Sequence, residues 1–192
     1  MPGLALPSGT RWHPAASEGF TLEQLLTANA ARPLIVCGGL KPGDPTTFRA
    51  VPWGACERLL PPGAPFDEEA WFRDSAALLP PLELALAGAP PGSWDALVAR
   101  DVWGARARRG LTALQLGIAH GDDRAWLTRA YDVLQALATS DVAADPSVFK
   151  NLGIAAGRLG RTEEMRQALQ HYVSVAPASD PELPAVRALI GR

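Results

Sequence analysis

The sequence predicts an α+β protein that is mostly helical, with a small α/β portion over residues 1–92 and a tetratricopeptide-like helical array over 93–192. Three observations support this prediction. One short apolar run, LIVC at 34–37, lies between proline and glycine residues as a strand would. From Trp94 onward the chain is rich in Ala, Leu and Arg at helical spacing. The tetrapeptide LGIA occurs at 116–119 and again at 152–155, which predicts two related helical segments.

In the first portion, Thr21 and Gln24 form a capping-box pattern for a short helix ending near Asn29. The 34–37 strand follows and, because all four of its residues are apolar or small, we expect it to be buried on both faces. The sequence KPGDP at 41–45 predicts a turn. Pro-Trp-Gly at 52–54 redirects the chain before a short helix or strand over 55–60, and an amphipathic helix is expected near 67–79.

In the second portion, Ser93 is placed to cap a helix that becomes strongly basic at its later turns. A turn at 121–123 and a helix over 124–138 come next. The LGIA repeat spacing of 36 residues is close to the roughly 34-residue period of tetratricopeptide repeats. The second copy matches that pattern at Phe149, Leu152, Gly153, Gly160 and Pro177. A helix capped by Thr162 and a terminal helix over 184–190 complete the predicted array.

Composition narrows the function classes. A formal net charge of −2 offers no general attraction to phosphate backbones, so we expect no nucleic-acid partner. The longest apolar stretch, 76–89, is interrupted by prolines and Glu83, so we expect no membrane span in this chain. The first residues lack a basic leader and an apolar core segment, which predicts a cytoplasmic location if the chain is complete as given.

Several blocks carry a family resemblance: VCGGLKPGDP, PWGACERL, the SW to DVW spacing that begins at Ser93, and FKNLGIAAGRL. In this order the chain resembles the soluble C-terminal region of a polytopic membrane protein O-mannosyltransferase-like family, with vertebrate members that modify plexin-type receptors and bacterial relatives of GT-C type. The resemblance covers residues 4–192. It implies association with a membrane-embedded glycosyltransferase half or an acceptor protein, and an extracytoplasmic location if this chain is fused to or paired with that half. The family's acidic catalytic residue lies in the membrane half, so the resemblance places no catalytic residue here.

Two cysteines, Cys37 and Cys56, lie 19 residues apart. They are a candidate disulfide, in line with the extracytoplasmic location that the resemblance implies. The alternative, in line with the absence of a visible export signal, is a pair of buried thiols that pack as small hydrophobes. A zinc site is disfavoured because no second ligand pair accompanies them, and no metal or cofactor is expected.

The remaining chemical candidates have simpler explanations. Gly38-Gly39 with Lys41 follows a strand, but the Walker and dinucleotide patterns are absent, so a tight turn is favoured over a phosphate cradle. Three histidines, His13, His120 and His171, are too scattered to pair as metal ligands. Paired acidic residues at 122–123 and 68–69 fit helix starts better than acid–base catalysis.

The sequence contains six tryptophans, and the simplest explanation for these large apolar side chains is that they pack in the core. The best candidates for a binding surface are Trp53, Trp94, Trp103 and Arg106, because aromatic and arginine side chains together suit partner contacts. The sequence therefore predicts a non-catalytic accessory domain that binds the acceptor or braces the membrane half. The alternative is an independent tetratricopeptide-like adaptor for protein–protein interaction. A third option is a small enzyme that acts through the loop at 38–44 and Lys41.

Overall fold

The computed structural model describes residues 5, 21–37, 46–79, 89–90, 92–140 and 145–191. The chain forms two compact units, Met1–Leu79 and Pro80–Arg192. The boundary near residue 92 stays a prediction, since much of 80–91 lies outside the described residues. Within these residues the fold is mostly α with a small α/β part, which confirms the predicted class.

The first unit begins with helix α1, Leu22–Ala28. Both bonds of the predicted capping box are formed: the Gln24 N–H donates to Thr21 Oγ1 at 3.2 Å, and the Thr21 N–H donates to Gln24 Oε1 at 2.8 Å. Asn29 follows the helix and is 2% exposed, and its side chain is bonded to the backbone of Ala5 and of Leu25. These bonds tie the end of α1 to a residue far upstream.

Three antiparallel strands form the sheet of this unit, in the order β1-β3-β2. They are β1 Leu34–Cys37, β2 Arg49–Trp53 and β3 Cys56–Leu60. The segment over 55–60 is therefore a strand, one of the two states expected. Helix α2, Glu68–Ala77, follows with Asp67 as its N-cap, because Asp67 Oδ1 accepts from the Ala70 N–H at 2.9 Å.

The expectation that β1 is buried on both faces is wrong. Leu34 is 8% exposed but Ile35 is 47% exposed. The physical reason is that the face holding Leu34 and Leu59 packs into the core with Leu26 and Phe48, whereas on the opposite face α2 packs on β2, at the other edge of the sheet, and leaves β1 partly uncovered. An edge strand with one packed face exposes its alternate side chains.

The second unit contains five helices among its described residues: α3 Trp94–Ala119, α4 Arg124–Ala138, α5 Pro146–Arg158, α6 Thr162–Val175 and α7 Leu183–Ile190. Consecutive helices pack against each other in chain order. One core cluster contains residues of four of them, namely Trp103, Leu134, Leu137, Val148, Leu152 and Ala168. A second cluster joins α6 to α7 through Leu169, Tyr172, Leu183 and Val186.

The two LGIA copies play the same packing role. A Cβ on Gly117 would lie 2.9 Å from Leu127 Cδ2, and one on Gly153 would lie 2.6 Å from Leu169 Cδ2. Each glycine therefore lets its helix approach the following one closely. Each of these two pairs of helices is also antiparallel. Along α3, Gly110 lies beside Leu134 and the later Gly117 beside the earlier Leu127, and along α5, Gly153 lies beside Leu169 and Gly157 beside Met165.

The turns between helices follow the sequence signals closely. Gly160 has φ +78°, and the bonds from the Gly160 N–H to Gly157 O and from the Arg161 N–H to Ala156 O complete a Schellman motif after α5. Asp123 caps α4 by accepting from the N–H groups of Ala125 and Trp126. Thr162, however, is the first residue of α6 rather than its cap, and α6 has no side-chain cap.

Candidate functional site

The candidate site lies on the sheet face of the first unit that does not pack against α1. Val51 pairs with Arg58 and Trp53 pairs with Cys56 across β2 and β3, so the side chains of Val51, Trp53, Arg58 and Leu60 share this face. Helix α2 packs over part of it. The concave space between them is the aromatic pocket, defined by Trp53, Phe66 and Trp71 as its wall and by Arg58, Asp67 and Asp74 as its rim.

Contacts with neighbouring residues hold Trp71 and Phe66, two of the rings of the aromatic pocket, in place. Trp71 is 2% exposed, and its indole Nε1–H donates to the carbonyl of Pro52 at 2.7 Å, which joins α2 to β2. The Phe66 ring centroid lies 5.8 Å from that of Trp71 in a tilted arrangement. Arg49 covers Phe66 with its guanidinium carbon 4.6 Å from the ring centroid. These contacts fix the orientation of the rings before any ligand arrives.

The rim carries charges of both signs. The Arg58 guanidinium carbon lies 5.5 Å from the Trp53 ring centroid, as a diagonal cross-strand neighbour. Asp67 uses Oδ1 to cap α2, and Asp74 accepts from Arg73 Nε through its own Oδ1 at 2.7 Å. Each carboxylate therefore has a second oxygen that no described residue engages. The rim can both donate and accept hydrogen bonds.

The pocket is small. Its volume is about 140 Å³ and it opens to solvent beside Pro65 and Asp67, which are both exposed. Buried Val51 and Leu60 contribute to its lining. A space of this size with an apolar wall and a few polar groups at the mouth can hold one small ring.

Of the residues predicted for a binding surface, the structure places only Trp53 at this pocket. Trp94 begins α3 and is 82% exposed, whereas Trp103 is 4% exposed and belongs to the helical core. Trp103 is therefore not available to a partner, because the turn of α3 that carries it faces α4 and α5. Arg106 is half-buried on the same helix. Trp94, Trp103 and Arg106 do not form one exposed stripe.

Three basic side chains meet between α3 and α4. Burial lowers the pKa of Arg109 to about 10, and the nearby charges of Arg106 and Arg129 add to that shift. Arg129 also lies over the ring of Trp126, with 4.5 Å between its guanidinium carbon and the ring centroid. The arginine-rich turns of α3 thus serve partly to pack against α4.

The two cysteines meet in the structure. Cys37 and Cys56 are opposite each other at the end of the β1–β3 ladder, with 4.3 Å between their Cα atoms, and they form a disulfide. The bond closes a loop that contains 38–48. The disulfide therefore joins β1 to β3, the strand that carries Arg58, and neither cysteine lines the pocket.

The other chemical candidates have structural roles or lie outside the described residues. Lys41 with Gly38-Gly39, and His13, fall outside them. His120 ends α3 as its C-cap, and His171 packs against Phe149 in a tilted arrangement with 4.0 Å between ring centroids. Among the residues that the structure describes, no three side chains of His, Cys, Asp or Glu gather as metal ligands would. No helix in the described ranges is both long and apolar enough to cross a bilayer.

Comparison with known proteins shows a similarity that covers most of the chain. The chain is 29% identical over 176 residues to the mouse (Mus musculus) protein named Protein O-mannosyl-transferase TMEM260. The match covers 84% of this chain but only 24% of that protein, so the chain spans about a quarter of its relative. No family model matches the chain, and no solved structure matches it. The similarity supports a relation to the family that the motif blocks resemble.

Sequence reasoning missed most of the pocket. Phe66 stands in no motif, Trp71 is one of six tryptophans, and Arg58 lies within the block PWGACERL with nothing that marks it as a binding residue. A signal was present in the alternation of β2 and β3, since Val51 and Trp53 on one strand and Arg58 and Leu60 on the other share a face in any antiparallel pairing with this turn.

Proposed function

We propose that the chain is a non-catalytic accessory part of a GT-C-type, protein O-mannosyltransferase-like membrane glycosyltransferase, in which it contributes to acceptor binding or braces the membrane half. The observation that carries the proposal is the similarity over 84% of the chain to a protein whose name describes that activity. The matched region amounts to 24% of the relative, which is the share expected of one part of a larger enzyme.

The geometry of the first unit favours an accessory role over a catalytic one. The acidic groups at the aromatic pocket each have a structural task, since Asp67 caps α2 and Asp74 pairs with Arg73. Trp71 links α2 to β2 through its indole. Such a site is rigid and can recognise a ligand, but its carboxylates are solvated and not paired as a general acid and base would be.

The proposal includes a location on the extracytoplasmic side of the membrane. The Cys37–Cys56 disulfide supports it, because such bonds form and persist in oxidising compartments. The partner would be the membrane-embedded half of the enzyme, on the same polypeptide or on another one.

The test is affinity capture from the source cells. The gene that encodes the chain is tagged at its own locus, membranes are cross-linked and dissolved in detergent, and the recovered material is identified by mass spectrometry. We expect the tag to be recovered with, or covalently within, a polytopic membrane protein. Recovery of the tagged chain from the soluble fraction alone would contradict the proposal.

A second candidate is an independent adaptor that binds peptides through a tetratricopeptide-like array. The observation that favours it is the run of helices α3 to α6, with glycines where α3 meets α4 and where α5 meets α6, together with Trp94 at 82% exposure at the start of that run. The same capture experiment separates the two candidates. An adaptor would be recovered with soluble proteins, and Trp94→Ala would weaken that recovery.

A further inference from the structure

We propose that the aromatic pocket binds one hexopyranose unit, with a C–H face of the sugar against the aromatic wall and its hydroxyl groups on the charged rim. The inference deepens the proposed function and rests on it only for the source of the sugar, a glycan carried by the acceptor protein. The evidence for the ligand class is the size of the pocket, its wall and its rim.

Size restricts the ligand to a single small ring. The pocket volume is about 140 Å³. A cavity of about 150 Å³ in another protein holds benzene, which is also a six-membered ring. A pyranose ring fits the same space if its hydroxyl groups project toward the open side, beside Pro65 and Asp67. A folded peptide segment or a nucleotide would not fit.

The wall suits the apolar face of a sugar. Trp53 is partly exposed on the sheet, and Phe66 is partly exposed where the chain approaches α2. Both rings line the pocket and both already have a guanidinium nearby, Arg58 for Trp53 and Arg49 for Phe66. The C–H groups of a pyranose carry a partial positive charge, so they pack on aromatic faces for the same electrostatic reason as a cation does, at lower desolvation cost.

The rim distinguishes a neutral polyhydroxyl ligand from an ion. Asp67 and Asp74 each offer a carboxylate oxygen, and Arg58 offers guanidinium N–H groups for which no described carboxylate is a partner. An anionic ligand would meet two carboxylates, and a cationic one would meet Arg58. A sugar hydroxyl donates to the former and accepts from the latter, so it satisfies both kinds of group at once.

The experiment follows the indole N–H signals of the intact chain by NMR during titration with three methyl glycosides, those of α-D-mannose, α-D-glucose and α-D-galactose. We expect at least one glycoside to shift the Trp53 and Trp71 signals saturably, while Trp126 and Trp94 in the other unit stay in place. Trp53→Ala and Asp67→Asn are expected to weaken binding about tenfold each, since one removes the ring and the other an ionised acceptor.

The variants are chosen to keep the fold. Asparagine caps helices as well as aspartate does, so Asp67→Asn keeps α2 intact while it removes the charge. Trp94→Ala is the matched control, because it removes an exposed tryptophan far from the pocket in sequence and should leave the affinity unchanged.

Two outcomes would overturn the proposal. One is no saturable shift with any of the three glycosides, including the case in which only N-acetylphenylalanine amide produces a shift; the other is a shift that survives both pocket variants. Failure here can be told apart from failure of the proposed function. A chain that is recovered with a membrane glycosyltransferase yet binds no glycoside refutes the sugar site alone.

Discussion

Two glycines on α5 allow a matched test of how closely α5 and α6 pack. Gly153 and Gly157 lie one turn apart and both face α6. A Cβ on Gly153 would lie 2.6 Å from both Cγ and Cδ2 of Leu169, which is 1% exposed. A Cβ on Gly157 would lie 2.8 Å from Met165 Sδ, at the flexible end of a partly exposed side chain. The perturbations are Gly153→Ala and Gly157→Ala.

The difference in the free energy of unfolding between the two variants reports the packing term alone. Each substitution gains about 1 kcal/mol of helix propensity, so this term cancels. Carbon atoms in contact prefer about 3.5–4.0 Å, so Leu169 must retreat by about 1 Å into a close-packed core, whereas Met165 can rotate away. Such overpacking costs about 1–3 kcal/mol. We therefore expect Gly153→Ala to be less stable than Gly157→Ala by about 2 kcal/mol, or by about 4–8 °C in Tm.

The assay is urea unfolding followed by circular dichroism at the helical band, with thermal melts alongside. Leu169→Ala serves as the second arm of a double-mutant cycle, because the smaller side chain makes room for the new Cβ. In that background Gly153→Ala should no longer destabilise, which gives a coupling of about 1–2 kcal/mol. Equal stability of the two alanine variants, or strict additivity with Leu169→Ala, would refute the reasoning.

Three further predictions concern other parts of the chain. Cys37→Ser should lower the free energy of unfolding of the first unit by about 3 kcal/mol under non-reducing conditions and change nothing under reducing ones; equal loss in both would argue against the bond. Asp123→Ala should cost about 1 kcal/mol by removing the α4 cap, with Asp123→Asn near neutral, as read from urea midpoints; a costly Asn variant would count against the cap. Burial chiefly, and the Asp180 carboxylate secondarily, raise the pKa of Tyr172 to about 12. The stability that depends on its neutral form is present in full below about pH 10 and is lost as the pH rises toward 12. Phenolate absorbance should therefore appear at a higher pH in the folded chain than in urea. Tyr172→Phe should reduce the fall in the free energy of unfolding between about pH 10 and pH 12.

Local signals predicted much of the fold. Thr21 with Gln24, Ser93 and Asp123 all act as caps where the sequence placed them, because a cap depends on neighbours within a few residues. Gly153 makes the close helix approach that its repeat pattern predicts. These features need no knowledge of distant contacts.

What depends on distant pairing could not be predicted in the same way. The exposure of Ile35 follows from the order of the strands, and the burial of Trp103 follows from which side of a 26-residue helix meets α4 and α5. The pocket combines Trp53 from β2 with Asp74 from α2, and only the packing of that helix on the sheet brings them together. The presence of Trp94 and Trp103 on one helix does not by itself reveal which of the two side chains faces the core.

The position of Pro52 within β2 has a consequence for self-association. A proline has no backbone N–H to offer, so a fourth strand that joined the sheet beside β2 would lose a hydrogen bond at the fourth of the five residues of β2. The opposite edge strand, β1, contains no proline, and its Ile35 presents an exposed aliphatic side chain. Intermolecular strand addition should accordingly begin at β1, and a lysine in place of Ile35 is the substitution that should keep concentrated samples free of oligomers.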